Sequence, residues 1–201
     1  ECKLQKYCEM YGVGEPIYEI PVDHREKDLS NRFYFQEMDK CIRCGKCVRV
    51  CRELVGVNAL VMAQKGNMAY VMPNGGKNMK ETACVSCGNC VSVCPVGALM
   101  PKSQQFFRQW ETKKVTTTCA YCGVGCQIEY SVRNGKIVDA KPANGPSNQG
   151  LLCVKGKFAF DFINHKDRLK YPMVRKNGKL VRTSWDEALN TVARKIQDVK
   201  C

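Results

Sequence analysis

The sequence predicts an α+β fold built from several small lobes, and three observations point to it. Its 201 residues include 15 cysteines, and eight of these form two copies of one spaced pattern, which indicates an internal duplication. Alternating segments around Asn-Gly turns predict β-hairpins in the second half of the chain. Hydrophobic residues make up 44% of the sequence, but that figure counts the cysteines, so we expect a thin apolar core.

Composition also excludes several classes of protein. No apolar run approaches the roughly 20 residues that cross a bilayer, and no collagen, coiled-coil or low-complexity period is present. The chain starts at Glu1 and stops at Cys201 within a helical pattern, so we expect a piece of a longer polypeptide. The lack of a leader sequence therefore carries no weight.

Two cysteine sets carry the duplication. The first reads Cys41-Ile-Arg-Cys44-Gly-Lys-Cys47-Val-Arg-Val-Cys51, and the second reads Cys84-Val-Ser-Cys87-Gly-Asn-Cys90-Val-Ser-Val-Cys94-Pro95, with an offset of 43 at all four cysteines. This spacing lets one loop offer three thiolates to a [4Fe–4S] cube, while the fourth cysteine ligates the other cluster. The predicted ligand sets are Cys41, Cys44, Cys47 and Cys94 for one cluster, and Cys84, Cys87, Cys90 and Cys51 for its partner.

Residues beside these cysteines suit the same interpretation. Gly45 and Gly88 lie where the backbone must approach inorganic sulfur closely, and the missing Cβ permits that approach. Pro95 starts a turn after the second set, whereas the first set has Arg52 there, a departure that removes no ligand. Zinc is the alternative, but zinc ribbons usually separate two C-x2-C pairs by a long spacer.

A third set of four cysteines has a different spacing: Cys119, Cys122, Cys126 and Cys153. Residues 127–133 and 136–141 alternate in polarity on either side of Asn134-Gly135, which predicts a hairpin. That hairpin would return Cys153 to the Cys119 loop, and a helix is expected from about Lys155. On spacing alone a third iron–sulfur cluster is favoured, and a zinc site is the alternative.

Residues 33–104, which contain the duplicated sets, resemble a two-cluster bacterial ferredoxin. Strands predicted at 59–63 and 68–72, and a short helix after each cysteine set, fit the βαβ repeat of that family. Because the apolar core is thin, we expect metal ligation to supply much of the stability, so that residues 33–104 unfold when iron is removed.

The stretches Cys119-Ala-Tyr-Cys122-Gly-Val-Gly-Cys126 and Leu152-Cys153-Val-Lys155-Gly resemble the iron–sulfur lobe of molybdopterin oxidoreductases, in the form found in formate dehydrogenase catalytic subunits. Residues 168–175 and 184–188 resemble the entry to the molybdenum domain of that family. The resemblance implies a [4Fe–4S] cluster beside a bis-molybdopterin guanine dinucleotide cofactor with molybdenum or tungsten. It also implies that Lys155 lies between cluster and pterin as an electron relay, a surface or phosphate-pairing lysine being the alternative.

The first eight residues, from Glu1 through Cys2 to Cys8, resemble the end of a His-plus-three-Cys cluster motif in the large subunit of respiratory complex I. Formate dehydrogenases with NAD(P), ferredoxin or hydrogenase partners carry the same extension. The resemblance implies that Cys2 is the last ligand of a fourth cluster, with an ordinary helix cysteine as the alternative, which we adopt for Cys8. It implies iron–sulfur or flavin diaphorase subunits, or hydrogenase subunits, as partners, and a cytoplasmic location.

The formal charge of +13 invites a nucleic-acid interpretation, which the cysteines weaken because cluster thiolates add negative charge that this figure omits. No groove-reading motif, P-loop or dinucleotide fingerprint occurs. Basic residues near the first cysteine set, namely Arg43, Lys46, Arg49 and Arg52, would favour the reduced cluster. Phe158, Phe160 and Phe162 are expected to pack around a helix. His24 and His165 are expected to be surface or capping residues.

The predicted domain order follows the motifs. Residues 1–32 are the end of an upstream iron–sulfur domain with a connector, 33–104 the ferredoxin-like domain, 105–114 a short helical linker packed by its aromatic residues, 115–171 the molybdopterin oxidoreductase [4Fe–4S] domain, and 172–201 the start of a molybdopterin domain. In the last, Asn177-Gly178 predicts a hairpin turn, and Ser184 with Glu187 predicts a helix capping box. That helix carries an apolar stripe with nothing after it to cover it.

Together these features predict the electron-transfer part of a formate dehydrogenase or CO2 reductase. The residues of carbon chemistry are expected beyond Cys201, which we do not assign to a metal. Two alternatives stay open: another molybdopterin oxidoreductase, such as a nitrate reductase or a complex I relative, and a free-standing polyferredoxin. A free-standing polyferredoxin would not be expected to contain the lobe at Cys119.

Overall fold

The computed structural model describes residues 3–15, 17–18, 24–102, 107 and 109–200, and it divides into two compact units, one ending at Asp161 and one beginning at Phe162. The helices are α1 (Lys3–Met10), α2 (Lys46–Arg49), α3 (Asn89–Val93), α4 (Val154–Phe158) and α5 (Trp185–Val199). The strands are β1 (Tyr34–Gln36), β2 (Leu60–Ala63), β3 (Tyr70–Pro73), β4 (Leu99–Pro101), β5 (Lys113–Thr118), β6 (Gln127–Arg133), β7 (Lys136–Pro142), β8 (Met173–Lys176) and β9 (Lys179–Arg182). Single 3-10 turns lie at Met38–Lys40, Gly66–Met68, Met79–Glu81, Gln109–Glu111 and Asp161–Asn164.

The ferredoxin-like part follows the order strand, helix, strand twice, with β1, α2 and β2 followed by β3, α3 and β4. The two middle strands pair with each other and the two outer strands pair with each other, both ladders being antiparallel. The strands predicted at 59–63 and 68–72 are β2, which starts one residue later than predicted, and β3, which starts two residues later and ends one residue later. The outer ladder joins the two ends of this segment, because Tyr34 lies opposite Pro101.

The two helices of the repeat begin inside the cysteine sets, not after them as predicted. Gly45 and Gly88 stand before them in the left-handed region, with φ of 70° and 76°. The helices end differently. Cys94 leaves α3 in an extended conformation, since a residue before proline is driven out of the helical region. The first repeat lacks that proline, and α2 continues into a π-helical segment, Val50–Leu54, that contains Cys51.

The third lobe is a three-stranded antiparallel sheet in the order β5, β6, β7. The predicted hairpin is confirmed, with Asn134 and Gly135 at φ of 50° and 73° in its turn. The strand β5 is missing from the prediction, which placed its start in a helical linker. The short 3-10 turn Gln109–Glu111 is the helical part of that linker, and the side chain of Trp110 in it is 72% exposed.

The second unit contains the hairpin β8–β9 and the helix α5. The Asn177-Gly178 turn joins the two strands as predicted, and Ser184 Oγ accepts from Glu187 N–H at 3.2 Å at the start of α5. In a full capping box the Glu187 carboxylate would accept from the backbone N–H of Ser184. Here it accepts from the Thr183 hydroxyl and pairs with Lys176 instead. The apolar stripe of α5 is exposed; Trp185, Leu189, Val192, Ile196 and Val199 are each more than half accessible.

Cysteines form part of the core. The larger buried cluster joins Tyr34, Leu60 and Met79 to Cys47 and Cys90, with four further cysteines packed against it, Cys41, Cys51, Cys84 and Cys94. The smaller one, under the three-stranded sheet, joins Ile128, Ala140 and Leu152, with Cys119 and Cys126 at its edge. Ten of the twelve buried residues of the larger cluster are ordinary apolar side chains, and two are cysteines.

None of the helices in the described part of the chain combines the length and apolar character that a bilayer crossing requires.

Candidate iron–sulfur sites

The second cysteine loop and the π-helical segment of the first repeat meet around one cavity. Cys84, Cys87 and Cys90 line it from the loop, and Cys51 lines it from the π-helical segment. The remaining lining residues carry no charge; they are Tyr34, Val55, Val57, Ala59, Leu60, Met79, Val85, Gly88 and Asn89. These four cysteines are the set predicted for one cluster, and the fourth comes from the other repeat.

The first loop shows the converse grouping. Burial raises the pKa of the Cys47 thiol to about 12, and the nearby thiols of Cys41, Cys94 and Cys44 raise it further. Burial likewise raises the pKa of Cys90, with Cys87, Cys84, Cys47 and Cys51 as its thiol neighbours. Cys47 and Cys90 are thus the inner thiols of two groups that lie against each other.

Backbone amides donate to equivalent sulfurs in the two loops. Arg43 N–H donates to Cys41 Sγ and Ser86 N–H donates to Cys84 Sγ, both at 3.3 Å. Both donors have positive φ, 58° and 54°, which turns the amide toward the sulfur. This geometry suits thiolates that hold a metal cluster, because hydrogen bonds to cluster sulfurs help to set its potential.

The second site has three further donors that the sequence did not reveal. The buried Tyr34 hydroxyl lies 3.3 Å from Cys84 Sγ, and Asn31 Nδ2 lies 3.9 Å from the same sulfur and donates to Ser86 Oγ. Ala59 N–H donates to Cys51 Sγ at 3.2 Å. Burial, reinforced by the thiols of Cys90 and Cys84, raises the pKa of Tyr34, so its hydroxyl keeps its proton and serves as a donor.

The third site is assembled by the sheet. Cys119 follows β5 and Cys126 precedes β6, so the pairing of these strands brings the two together, with Cys119 N–H donating to Cys126 O at 2.8 Å. Slight burial raises the pKa of Cys126, and the thiols of Cys119, Cys122 and Cys153 raise it further. The structure therefore brings together the four residues predicted for this set.

Asn148 holds the segment that returns Cys153 to the sheet, a role the sequence did not reveal. It is buried; its Oδ1 accepts from Gln127 N–H at 3.0 Å, and its Nδ2 reaches the carbonyls of Gln127, Ala143 and Leu151. Gly145 lies against it, where a Cβ would come within 2.4 Å of Gln127 Cγ and 2.8 Å of Asn148 Oδ1. A side chain at that position would displace the turn.

The second and third sites adjoin through a tight junction. Asn89 Nδ2 donates to Leu152 O at 2.9 Å, and Leu152 N–H donates to Asn89 Oδ1 at 3.0 Å. Phe158 stacks on Phe33, confirming its predicted packing role, although α4 ends at Phe158 and is shorter than expected. At Gly88 a Cβ would lie 2.6 Å from Phe158, so only glycine allows this approach.

Two lysines of α4 have opposite environments. Lys155, the predicted relay, is exposed near the start of α4, with its ammonium 5.8 Å from the centre of the Tyr121 ring. Lys157, which the sequence did not single out, is 3% exposed; its Nζ donates to Ala140 O at 2.6 Å and lies 3.5 Å from Asp139 Oδ1. Burial lowers the pKa of Lys157, and Asp139 raises it back in part.

The donors present fit iron–sulfur clusters better than the alternatives considered. Every cysteine in the described part of the chain is a free thiol, which argues against disulfides. Within the same residues no group of three or more His, Cys, Asp or Glu side chains is arranged to hold a single metal ion. A four-iron cluster spreads its thiolates over separate irons, so wider groups of four cysteines suit it. In the third group, Cys122 and Cys153 are exposed.

The remaining predicted residues lie elsewhere. His24 Nδ1 lies 3.2 Å from Asp39 and His165 Nδ1 lies 3.8 Å from Asp167, so each contacts a carboxylate near the surface, as expected. Cys8 is half-buried on α1. Cys2 and Cys201 lie outside the described residues.

Successive parts of this chain match three known domain families. Residues 112–165 match the molybdopterin oxidoreductase Fe4S4 domain, and residues 168–201 match the molybdopterin oxidoreductase domain. Residues 33–100 match the ferredoxin-like domain of NADH-quinone oxidoreductase subunit 3. The chain belongs to the molybdopterin oxidoreductase family. Residues 33–165 are the iron–sulfur electron-transfer region of this molybdopterin oxidoreductase.

Curated proteins with similar sequence bear several names. An NADH-quinone oxidoreductase subunit of Rhizobium meliloti (strain 1021) is 38% identical over 94% of this chain and 22% of its own length. "Putative formate dehydrogenase YrhE" of Bacillus subtilis (strain 168) is 34% identical over 99% of this chain and 25% of its own. "NADPH-Fe(3+) oxidoreductase subunit alpha" of Geobacter sulfurreducens (strain DL-1 / KN400) is 32% identical, with 99% and 23% coverage. The chain thus spans about a quarter of the length of these relatives of the molybdopterin oxidoreductase.

Among solved structures, an NAD+-reducing [NiFe]-hydrogenase in the H2-reduced state covers 53% of this chain and 46% of its own, with 27% identity and a TM-score of 0.48.

Proposed function

We propose that the three cysteine groups each hold a [4Fe–4S] cluster and that this chain conducts electrons within a formate dehydrogenase or CO2 reductase. The observation that carries the proposal is the crossed grouping, in which Cys51 joins Cys84, Cys87 and Cys90 around one apolar cavity. Such a cluster takes up and releases single electrons at a potential set by its surroundings. Cys2 is proposed as a ligand of a fourth cluster.

The chain's own residues make a short connection between the second and third groups. Asn89 directly precedes Cys90 in the chain, and Leu152 directly precedes Cys153. The side chain of Asn89 forms two hydrogen bonds with the backbone of Leu152. Each group therefore lies one residue away from a shared hydrogen-bonded contact. Apolar packing around that contact, including the stacked Phe33 and Phe158 rings, excludes water from it.

Beyond the third group we propose a bis-molybdopterin guanine dinucleotide with molybdenum or tungsten, supported by the match of residues 168–201. Lys155 lies two residues after Cys153 on α4 and is exposed, so its ammonium is available to an anionic cofactor. We propose Lys155 as the residue that holds the cofactor beside this group. Formate oxidation or CO2 reduction would occur there, with nicotinamide-linked diaphorase or hydrogenase subunits as partners at the other end.

A second candidate is the non-formate branch of the family, because the NADH-quinone oxidoreductase subunit of Rhizobium meliloti is 38% identical to this chain. In that case the same cysteine groups would conduct electrons without carbon chemistry. Addition of formate to the full-length protein separates the two, since only the formate enzyme should bleach its iron–sulfur absorbance with that substrate.

The experiment that tests the cluster proposal is elemental analysis combined with electron paramagnetic resonance. We expect about twelve iron atoms and no zinc for three four-iron clusters. Cys51→Ser should remove the signal of the cluster at Cys84, Cys87 and Cys90, and Cys94→Ser that of the cluster at Cys41, Cys44 and Cys47. Cys8→Ser is the matched control and should change neither. Loss of the near cluster in each variant, in place of the distant one, would contradict the crossed ligand sets.

A further inference from the structure

The duplicated cysteine loops differ most in charge. At four equivalent positions the first loop has a basic residue and the second has a neutral one. The pairs are Arg43 and Ser86, Lys46 and Asn89, Arg49 and Ser92, and Arg52 and Pro95. The cysteine spacing and the glycine before each helix are the same in both loops, so the chemistry of the cluster site does not require this difference.

The two loops also differ in what covers them. All four basic residues of the first loop are exposed, whereas Ser86, Ser92 and Pro95 are half-buried and Asn89 is buried. Asn89 is buried because the third lobe packs on it through Leu152. The second loop therefore uses this face to join the next site, and the first loop presents the equivalent face to solvent.

The surroundings of the glycines before α2 and α3 show the same difference between a covered and an exposed loop. A Cβ at Gly88 would lie 2.6–2.7 Å from Phe158 and Lys157, which belong to the third lobe. A Cβ at Gly45 would lie 3.1 Å from Arg49 Nη1, whose side chain belongs to the same helix. The position that Phe158 fills at the second loop is thus covered at the first loop by an exposed guanidinium group.

Local contacts hold the basic groups beside the first loop. Arg43 donates to Asn67 O, and Arg49 Nη2 donates to Cys44 O at 3.2 Å, so two guanidinium groups flank the loop itself. Arg52 pairs with Glu53 at 2.8 Å, which offsets one charge. The face defined by Arg43, Lys46, Arg49 and Arg52, here called the basic face, keeps a positive charge next to the predicted ligands Cys41 and Cys44.

We propose that the basic face is the docking surface for an acidic one-electron carrier protein, occupying the place that the third lobe occupies on the second loop. The inference rests on the proposed function and names the partner of its first site. In each encounter the reduced protein loses one electron and the oxidised carrier gains one, and no proton or group is transferred. The electrons come from the substrate oxidised at the molybdopterin end, or from dithionite in the test.

Opposite charge at the contact explains why the face is basic and exposed. A positive patch beside a redox site raises the rate of encounter with a negative partner by about 10- to 1,000-fold at low salt. Nucleic acid is the other polyanion to consider. The proposal favours a protein because the charges surround a predicted electron-transfer site and because the equivalent face of the second loop binds a protein lobe.

The test uses the full chain with its clusters, in the variant R43S/K46N/R49S/R52S. Three of these changes copy the second loop, where Ser86 has nearly the same positive φ as Arg43, so the loop conformation is compatible. The control variant K113S/K136S/K179S/K195S removes four exposed lysines elsewhere and gives the same net charge. Dithionite-reduced protein is mixed with an acidic [2Fe–2S] ferredoxin, or with basic cytochrome c, in a stopped-flow instrument.

We expect the rate constant toward ferredoxin to fall about 10- to 100-fold in the first variant at low salt and to change little in the control. Near 1 M salt the variants should converge, because the Debye length shrinks to about 3 Å. Toward cytochrome c the first variant should react faster than the unaltered protein. Equal falls in both variants would show an effect of net charge alone and would overturn the proposal.

Two further outcomes also overturn it. One is an unchanged ferredoxin rate in a variant with full iron content. The other is loss of binding to a single-stranded RNA 30-mer with the ferredoxin rate unchanged, which would assign the face to nucleic acid. Iron content and resonance spectra are measured on the same samples. Absence of clusters from the unaltered protein would reject the proposed function itself, whereas intact clusters with insensitive rates would reject only the docking surface.

Discussion

Asn89 and Leu152, 63 residues apart in sequence, are joined by two hydrogen bonds of 2.9 and 3.0 Å that satisfy both ends of the Asn89 amide. Each residue is next to a cysteine of a different group, Cys90 and Cys153. Both residues are buried. The contact therefore fixes the separation of the second and third sites, and it does so with a side chain whose counterpart in the first loop is Lys46.

Asn89→Ala should open this junction. The substitution leaves the buried N–H and C=O of Leu152 without partners, and each unsatisfied group costs about 1–3 kcal/mol. Hydrogen exchange of residues 150–156 should become faster, and electron transfer between the second and third clusters slower. Asn190→Ala, on the exposed surface of α5, is the control and should alter neither. Unchanged protection at Leu152 in the Asn89 variant would contradict the role assigned to the junction.

Lys157 and Asp139 should behave as a coupled buried pair. Lys157→Met leaves Asp139 without its cation, and removing one partner of a buried pair typically costs about 3–5 kcal/mol. Adding Asp139→Asn should recover most of that loss, because no buried charge then remains unpaired. The midpoint of thermal unfolding at a fixed scan rate measures both effects. Additive losses in the double variant would show that the two side chains are independent.

The same lysine predicts a pH dependence. Burial lowers the pKa of Lys157 below its ordinary value of 10.5, so between that lowered value and 10.5 the unfolded chain binds more protons than the folded one. Stability should therefore rise with pH across this interval and fall as pH drops through the lowered pKa. The comparison is made between the unaltered protein and Lys157→Met, which should lack this component. Parallel profiles would mean that Lys157 titrates normally.

Tyr34→Phe should lower the midpoint potential of the cluster at Cys84, Cys87 and Cys90. The buried hydroxyl lies 3.3 Å from Cys84 Sγ, and a donor to sulfur favours the more negative, reduced state. A hydrogen bond worth about 1 kcal/mol more to the reduced state corresponds to a shift on the order of 40 mV in a one-electron couple. Redox titration followed by resonance spectroscopy measures it. Tyr70→Phe is the control, and an equal shift there would exclude a specific effect of Tyr34.

Removing iron should unfold residues 33–104. Six of the eight duplicated cysteines belong to or pack against the larger core, so loss of the clusters leaves that core with several unligated thiols. Circular dichroism of chelator-treated protein should show lost structure without a cooperative melt. Zinc should not restore the fold, because the thiols are spaced for a cluster and not for one ion. A native-like, cooperative melt of the iron-free protein would disprove the prediction.

Local signals in the sequence predicted the parts of the fold that depend on local geometry. The Asn-Gly turns at 134–135 and 177–178 fix two hairpins, and Ser184 fixes the start of α5, because these effects act within a few residues. Cysteine spacing likewise predicted groups that the structure brings together. In each case the motif favours one conformation of the neighbouring backbone.

What the sequence did not predict depends on distant residues. Three buried polar residues are not evident from the sequence: Asn89, Asn148 and Lys157. Their neighbours in sequence do not indicate burial, which depends on partners in distant parts of the chain. The π-helical segment at Cys51 forms because the first repeat lacks the proline that follows Cys94 in the second. A missing proline is not a positive signal for any one structure. Strand β5 was missed because its sequence, with Lys113 and Lys114 followed by Val115 and three threonines, has no alternation, and its side chains are exposed.

The crossing of the fourth cysteines has a consequence for how the protein is made. Cys47 has Cys94 among its thiol neighbours, and Cys90 has Cys51. During translation the first loop emerges from the ribosome well ahead of Cys94, so with crossed ligands its cluster cannot be completed until the second loop has also emerged. Under the proposed crossed ligand sets, a nascent chain that ends before Cys84 would therefore carry no complete cluster from either loop.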